Sequence, residues 1–265
     1  MKIATWNVNS VFARMPHVVR WLAEEQPDVL CLQETKTTDD KFPAFDFLEL
    51  GYHSAFMGQK SYNGVAILSR HPIEDVQYNF PDDTEESPKR LIAATINGVR
   101  IVNTYIPNGT ELWSDPFKFK LDWLQRLRHF FESTCEKTSD VLLCGDFNVA
   151  PDERDVYDVR AWEGKLHFSR PERAALDYVR KWGFVDAFRL FHESGGLYSW
   201  WNYREGSFFK NNGLRIDHIW VSPSLAARCL HCEIDKSPRG WERPSDHTPV
   251  VAVFSDKQQG NENES

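Results

Sequence analysis

Short apolar runs alternate along the chain with longer segments in which apolar residues recur every three or four positions. This mixture predicts strands and helices within one α/β unit. Lys2–Val8 reads as a strand, and Arg14–Glu25 as a helix with Met15, Val18, Val19 and Leu22 on one face. Asp28–Gln33 carries the unbroken run Val29, Leu30, Cys31, Leu32, as expected of a strand covered on both faces. Gly64–Ser69, Leu91–Ile96 and Val99–Ile106 read as strands, the last two joined by Asn97-Gly98, a strong hairpin signal. Asp115-Pro116 opens a helix, with Asp115 as N-cap, Pro116 as first residue, and Phe117, Leu121, Leu124, Leu127 and Phe131 facing inward. Val141–Asn148 is a further strand, and Ser169-Arg-Pro-Glu172 is a capping box before a helix that stops near Gly183. Tyr198–Tyr203, Ile216–Val221, Cys229–Asp235 and Pro249–Phe254 complete the expected strands.

Many strands with few long helices predict an α/β protein of two mixed β-sheets packed face to face, helices outside. No repeat and no long linker divides the chain, so residues 1–254 are expected to form one domain. The Asn/Gln/Glu-rich stretch 255–265 is expected to be a disordered tail.

Composition narrows the function. Hydrophobic residues make up 41% and charged residues 26% of the 265, as in an ordinary soluble domain. A net charge of −8 argues against a protein that coats nucleic acid by bulk attraction. It leaves room for a carboxylate metal site with a local basic rim, for which Lys36, Lys60, Arg90, Lys118, Arg204, Lys210 and Arg215 are candidates. The plain alternative is that these are scattered solvated charges. Five cysteines do not make a complete disulfide set. Cys31 and Cys144 lie in apolar runs as core residues, and Cys229-Leu-His-Cys232 lacks the second pair that a zinc site needs. With no leader at the N-terminus and no apolar run of ~18 residues, a cytoplasmic protein without a membrane span is expected.

Candidate chemistry gathers where apolar strands end. Asn7 follows Ile-Ala-Thr-Trp, and Glu34 follows Val29–Gln33. Asp146 and Asn148 close Val-Leu-Leu-Cys-Gly, Asp217 sits in Leu-Arg-Ile-Asp-His, and Asp246-His247 precedes the last strand. Oxygen ligands of this kind suit a hard cation such as Mg²⁺ or Mn²⁺, which phosphate ester hydrolysis uses to neutralise charge on the transferring group. Strand alternation would put Asp146 and Asn148 on one face, with Phe147 in the core. Each residue also has a duller reading as a turn or cap former. Glu34 is harder to set aside, because an unpaired carboxylate at a buried strand end is costly. Taken alone, the pattern reaches a metal-assisted hydrolase and no further.

The motifs around these positions are Trp6-Asn-Val-Asn9, Leu32-Gln-Glu-Thr-Lys36, Gly64-Val-Ala-Ile-Leu68, Asn103-Thr-Tyr-Ile-Pro-Asn-Gly109, Gly145-Asp-Phe-Asn148, Gly213-Leu-Arg-Ile-Asp217 and Ser245-Asp-His-Thr-Pro249. In order and spacing the chain resembles the exonuclease III family of abasic-site endonucleases. Trp182–Arg189 and Tyr198–Arg204 resemble its bacterial branch. The resemblance implies a four-layer α/β sandwich. It implies a Mg²⁺ enzyme, with Mn²⁺ as an alternative, that acts as a monomer on duplex DNA bearing abasic or 3′-blocked sites. Cleavage 5′ to the abasic site would leave a 3′-hydroxyl and a 5′-deoxyribose phosphate, with 3′→5′ exonuclease and 3′-phosphatase activity beside it. The implied metal set is Asn7, Glu34, Asp146, Asn148, Asp246 and His247, with Glu34 as main ligand. The implied catalytic set is Tyr105 on the scissile phosphate, Asp146 for proton transfer, Asn148 for the transition state, and Asp217 orienting His247. The implied DNA contacts are Lys36, Arg90, Asn108 and Arg204, with Trp200, Leu214 and Ile216 lining an apolar pocket for a baseless sugar. Ser10 stands where that family usually has Gly, Asn63 stands where Ser or His is common, and Val149–Ala161 looks short. These departures bear on loop geometry. The competing readings are a related phosphatase of inositol phosphates or lipids, and a non-catalytic DNA-binding module.

Overall fold

The computed structural model describes residues 1–256, in which two six-stranded sheets lie face to face between helices. The tail expected from 255 lies, from 257 onward, outside the described residues. Within them, Ser255 is tied down by a 2.9 Å bond from its N–H to the Arg228 carbonyl.

The first four strands begin sheet A, which the last two complete from the end of the chain. β1 (Lys2–Asn7), helix α1 (Val11–Glu25) and β2 (Val29–Gln33) form a parallel pair joined across a helix. Helix α2 (Ala44–Glu49), β3 (His53–Met57) and β4 (Val65–Ser69) follow. Sheet B begins with β5 (Glu74–Tyr78), β6 (Leu91–Ile96) and β7 (Val99–Tyr105). Helix α3 (Asp115–Thr134) then crosses to β8 (Val141–Asp146), which runs parallel to β7. Helices α4 (Val159–Trp162) and α5 (Arg170–Arg180), strands β9 (Val185–Asp186) and β10 (Asp217–Val221) and helix α6 (Pro223–Ala226) lead to β11 (Cys229–Ile234) and β12 (Val250–Phe254). Strand orders are β11-β12-β1-β2-β4-β3 and β5-β6-β7-β8-β10-β9. Each sheet has one central parallel pair, β1/β2 or β7/β8, with antiparallel neighbours on both sides.

Strand alternation distributes the core among the layers. Ile3, Val29, Cys31 and Ile67 meet Ile92, Ile101, Leu142, Cys144 and Ile219 between the sheets. Ala4, Trp6, Leu30 and Leu32 face outward onto Val18, Trp21 and Leu22 of α1. Val102, Leu143 and Trp220 face outward onto Leu124, Leu127 and Phe131 of α3 and Leu176 and Val179 of α5. Burial on both faces is why β2 and β4 read as continuous apolar runs. The four-layer α/β sandwich is therefore the fold.

Several local expectations hold. Asn97 and Gly98 both take positive φ (50° and 74°), the turn that a two-residue hairpin needs. Ser169 and Glu172 form the reciprocal capping box at α5. Others are corrected. The N-cap of α3 is Ser114, whose hydroxyl accepts the Phe117 N–H at 3.3 Å, and Asp115 is already helical. On the same helix Lys120 is fully buried while Leu121 is not. Helix α1 starts at Val11, capped by Ser10. Tyr198–Tyr203 is not a ladder strand, because the Trp200 backbone makes isolated bridges to both Leu214 and His247 and is used up by two different neighbours. Strand β8 stops at Asp146, because Asn148 turns left-handed at φ 52°. Among the described residues, no helix is long and apolar enough to cross a membrane.

Candidate active site

The carboxyl ends of both parallel pairs open on the same edge of the sandwich. Asn7 ends β1, Glu34 follows β2, and Tyr105 and Asp146 pair at the ends of β7 and β8. Asp217, the first residue of β10, pairs with Asp146, and Asp246-His247 enters β12 beside the end of β1. Ligand sites of open α/β sheets lie at this edge, outside the carboxyl ends of strands.

At the site the two sheets are bridged by Asn7. Its side-chain amide donates to Glu34 Oε1 at 2.8 Å and to Asp146 Oδ2 at 2.9 Å, joining one residue of sheet A to the end of sheet B. The Asn148 N–H donates to Asp146 Oδ1 at 2.9 Å, and its side-chain amide to the Ile106 carbonyl at 3.0 Å. The side chains of Asp146 and Asn148 meet, but through the turn at Asn148 rather than through strand alternation; Phe147 does point into the core. Gly145 lets β7 and β8 approach closely here, since a Cβ on it would lie 1.8 Å from the Thr104 carbonyl oxygen. Left-handed residues crowd the same edge: Asn9, Ser10, Glu34, Lys36, Asn63, Asn148 and His167. Backbone strain of this kind clusters at ligand sites. Ser10, at φ 88°, accepts a conformation that suits glycine and caps α1 in exchange.

His247 is clamped from behind. Its Nδ1 lies 2.8 Å and 3.0 Å from the two Asp217 oxygens, and its Nε2 lies 3.6 Å from Asp146 Oδ2. Ser199 holds Asp217 in turn: its hydroxyl donates to Asp217 Oδ2 at 2.7 Å and accepts the N–H groups of Ile216 and Asp217. Burial alone would lower the His247 pKa, but Asp217 and then Asp146 outweigh it and raise it to about 10. The ring is thus an imidazolium at neutral pH. Asp146 is pushed up to about 7 by burial, with His247 opposing and Asp217 reinforcing the shift. Burial works against the Asp246 carboxylate, yet His247 and donated hydrogen bonds from Asn9 and Trp200 keep it below the usual carboxylate range. The Tyr105 phenol is raised by burial and by the carboxylates of Glu34 and Asp146.

Glu34, Asp146 and His247 place ligand atoms within 4.8 Å of one another. The hard oxygens of Glu34 and Asp146, with the Asn7 amide between them, fit a small divalent cation. A doubly protonated imidazole does not add a ligand to that set. Asp246 is not one of these three; one of its oxygens accepts from Asn9 and Tyr203 and the other from Trp200.

The expected DNA contacts divide. Asn108 and Arg204 are exposed, and Asn108 donates to Asn148 Oδ1 at 3.3 Å. Lys36 lies within the site, 2.8 Å from Glu34 Oε2 and 2.5 Å from Asn9 Oδ1. Arg90 is half-buried, its guanidinium 4.7 Å from the Tyr105 ring centre. Arg215 is not on a rim: it is fully buried between Asp155 and Asp186, at 2.6 Å and 2.7 Å. Trp201 is core, whereas Trp200 is half-buried. Leu214 and Ile216 do not line an open pocket. They are 0% and 2% exposed, packed under Ala150, Val156 and Phe168 with Trp200 against them.

The sequence reading missed Ser199, Ser245, Lys120, Glu172 and His167. Ser245 donates to the Asn7 carbonyl at 2.7 Å and accepts the His247 N–H at 3.2 Å, so it ties two site strands together. The His167 ring lies 2.7 Å from the Asn148 carbonyl and 6.3 Å from the Trp200 ring, and burial, then Lys120, lowers its pKa to about 4. Ser245 and Ser199 stand inside motifs that could have drawn notice, and Glu172 shows in the sequence only as half of a capping box.

Comparison with known proteins agrees with this geometry. Residues 4–247 match the Endonuclease/Exonuclease/phosphatase family. Exodeoxyribonuclease III of Haemophilus influenzae is 35% identical over 96% of this chain and 100% of its own length. Among solved structures, an AP endonuclease from Archaeoglobus fulgidus superposes with a TM-score of 0.93 at 42% identity, covering 97% of this chain and 100% of its own. A 3′ phosphatase from Neisseria, bound to product DNA hairpin, also reaches 0.93, at 44% identity over 96% of this chain and 99% of its own.

Proposed function

Since the chain belongs to the Endonuclease/Exonuclease/phosphatase family, we propose that it is a divalent-cation-dependent DNA repair nuclease. On this reading it hydrolyses phosphodiesters 5′ to abasic sites and phosphate esters at blocked 3′ ends, as a cytoplasmic monomer. The observation that carries the reading is the meeting of Asn7, Glu34, Asp146 and the Asp217–His247 pair across the seam between two sheets. The names of the relatives, an exodeoxyribonuclease, an AP endonuclease and a DNA-bound 3′ phosphatase, support DNA over inositol phosphates.

Glu34 and Asp146, with Asn7 beside them, would hold Mg²⁺, or Mn²⁺ in its place. When bound, the cation supplies charge neutralisation at the transferring phosphate. The chain's own groups do the rest. The His247 imidazolium is a fixed positive charge aimed at the phosphate from the cleft, held there by Asp217. Asp146, with a pKa near 7, is poised to take a proton from the attacking water at its carboxylate. Tyr105 and Asn148 flank it as neutral hydrogen-bonding groups against the phosphate oxygens.

The test is product analysis on an abasic oligonucleotide duplex with and without chelator. A 3′-hydroxyl and a 5′-deoxyribose phosphate should appear only with metal. Faster turnover of an inositol polyphosphate would overturn the reading.

One observation favours 3′-end chemistry as the larger activity. Leu214 and Ile216 are buried in one cluster with Phe168, with Trp200 packed against it, so neither offers exposed surface to a flipped sugar. A terminal phosphate needs no such pocket. A duplex nicked with a 3′-phosphate, run beside the abasic duplex, decides the order. Faster abasic incision would refute the preference.

A further inference from the structure

Behind the site lies an ion pair that none of these roles uses. Lys120 projects from α3 and Glu172 from the first turn of α5, and both side chains are 0% exposed. The ammonium has three protons and three acceptors: Glu172 Oε1 at 2.5 Å, the Asn148 carbonyl at 2.8 Å and the Asn108 carbonyl at 3.0 Å. Glu172 also accepts the N–H groups of His167 and Ser169, at 3.0 Å and 3.2 Å. The Asn148 carbonyl receives both Lys120 and His167. Asn108 follows β7 and Asn148 follows β8, so one buried ammonium ties two separate loops of the cleft to one point. Burial pulls Lys120 down and Glu172 resists. A buried pair of this kind adds little net stability over apolar residues of the same volume, so its position asks for a role beyond packing.

We propose that Lys120 and Glu172 are positioning residues for the reaction. Drawing both carbonyls onto one ammonium fixes the spacing of the two loops and the angle at which the Asn148 carboxamide faces Asp146. The pair touches no substrate. It acts through Asn148, whose side-chain amide stands 3.3 Å from Asp146 Oδ2 and whose Oδ1 is met by Asn108. This inference rests on the nuclease reading above, since cleavage is its readout.

The decisive variant removes both charges at once, Lys120→Met with Glu172→Gln, so that no unpaired charge is left inside. Thermal unfolding should stay close to that of the parent. Single-turnover cleavage at saturating Mg²⁺ should slow at least ~10-fold, with KM within about threefold, the split expected when geometry rather than binding is lost. The side-chain amide signals of Asn148 should shift in NMR spectra, while those of the remote Asn97 should not. Glu172→Gln alone keeps the shape but turns one of the two accepting oxygens into a donor, so it loosens the tie to Lys120 or to Ser169, and it is measured in the same way should the double variant not fold. A folded variant of either kind with a parental rate, or with a loss confined to KM, overturns the proposal. Absence of Mg²⁺-dependent cleavage in the parent would strike the nuclease reading itself and this inference with it.

Discussion

Asp217→Asn tests the central electrostatic claim, because it keeps the shape of the clamp on His247 and removes its charge. Holding the His247 pKa at about 10 rather than 6.5 corresponds to about 5 kcal/mol in favour of the imidazolium, at about 1.4 kcal/mol per pH unit. Asp217 is the largest of the groups raising it, acting both by charge and by hydrogen bond, while burial pushes the other way. Without that carboxylate the ring should titrate near or below neutrality. The sign follows: a required cation with a lowered pKa is lost as pH rises through that new value, whereas the parent keeps its cation up to about 10. The ratio of parental to variant rate should therefore grow with pH, by up to ~10-fold per unit above neutrality. It should add to a loss of ~10²-fold, the scale for an electrostatic group in a dry site. Asp146 shifts as well, because Asp217 helps to raise it and His247 opposes, so its titration is followed by NMR in both proteins and divided out before the ratio is read. The assay is single-turnover cleavage of a duplex oligonucleotide at saturating Mg²⁺ from about pH 6 to 9, a window that contains the ordinary histidine value and stays below the raised one. A ratio that stays flat over this range would show that His247 does not act as a cation.

Three further outcomes are expected. Asp146→Asn and His247→Ala should each lower the single-turnover rate by at least ~10²-fold, and near-parental rates would refute their assignment. Asp146 must be ionised to bind a cation and its pKa lies near 7, so Mg²⁺ affinity measured by calorimetry should fall as pH drops below that value, by up to ~10-fold per unit, and Glu34→Ala should abolish it; affinity indifferent to pH would count against Asp146 as a ligand. Arg215→Ala should cost about 3–5 kcal/mol in denaturant unfolding, because Asp186 would lose the guanidinium that binds it and Asp155 would keep only Arg189, and a cost below about 1 kcal/mol would show that water replaces it.

What the sequence made legible follows the physics of each element. β2 and β4 announce themselves because both faces are apolar, and the Asn97-Gly98 turn because few other residues tolerate its backbone. β5 is a half-wet edge strand, and β9 has two residues, so neither carries a periodic signal. Asn7, Glu34, Asp146 and Asp246-His247 were legible as polar residues breaking apolar runs. Lys120, Glu172 and Arg215 were not, since a charge inside a core looks on paper like a charge on a surface. Their partners are distant in sequence: 52 residues separate Lys120 from Glu172 and 60 separate Arg215 from Asp155. The burial of Leu214 and Ile216 was missed for a related reason, as Ala150, Val156 and Phe168, which pack with them, are distant in sequence.

The seam at Asn7 makes this catalyst a gauge of its own alignment. Half of the chemistry rides on one slab and half on the other, and the carboxamide of Asn7 spans the gap at the site, with those of Gln33 and Asn103 spanning it behind. A slip of a fraction of an ångström between the slabs, too small to alter helix content, would already pull Glu34 away from Asp146. In mild denaturant, cleavage should therefore fade well before the circular dichroism signal does, and substitutions deep between the slabs, at Cys31 or Ile219, should silence the enzyme from a distance while leaving it folded.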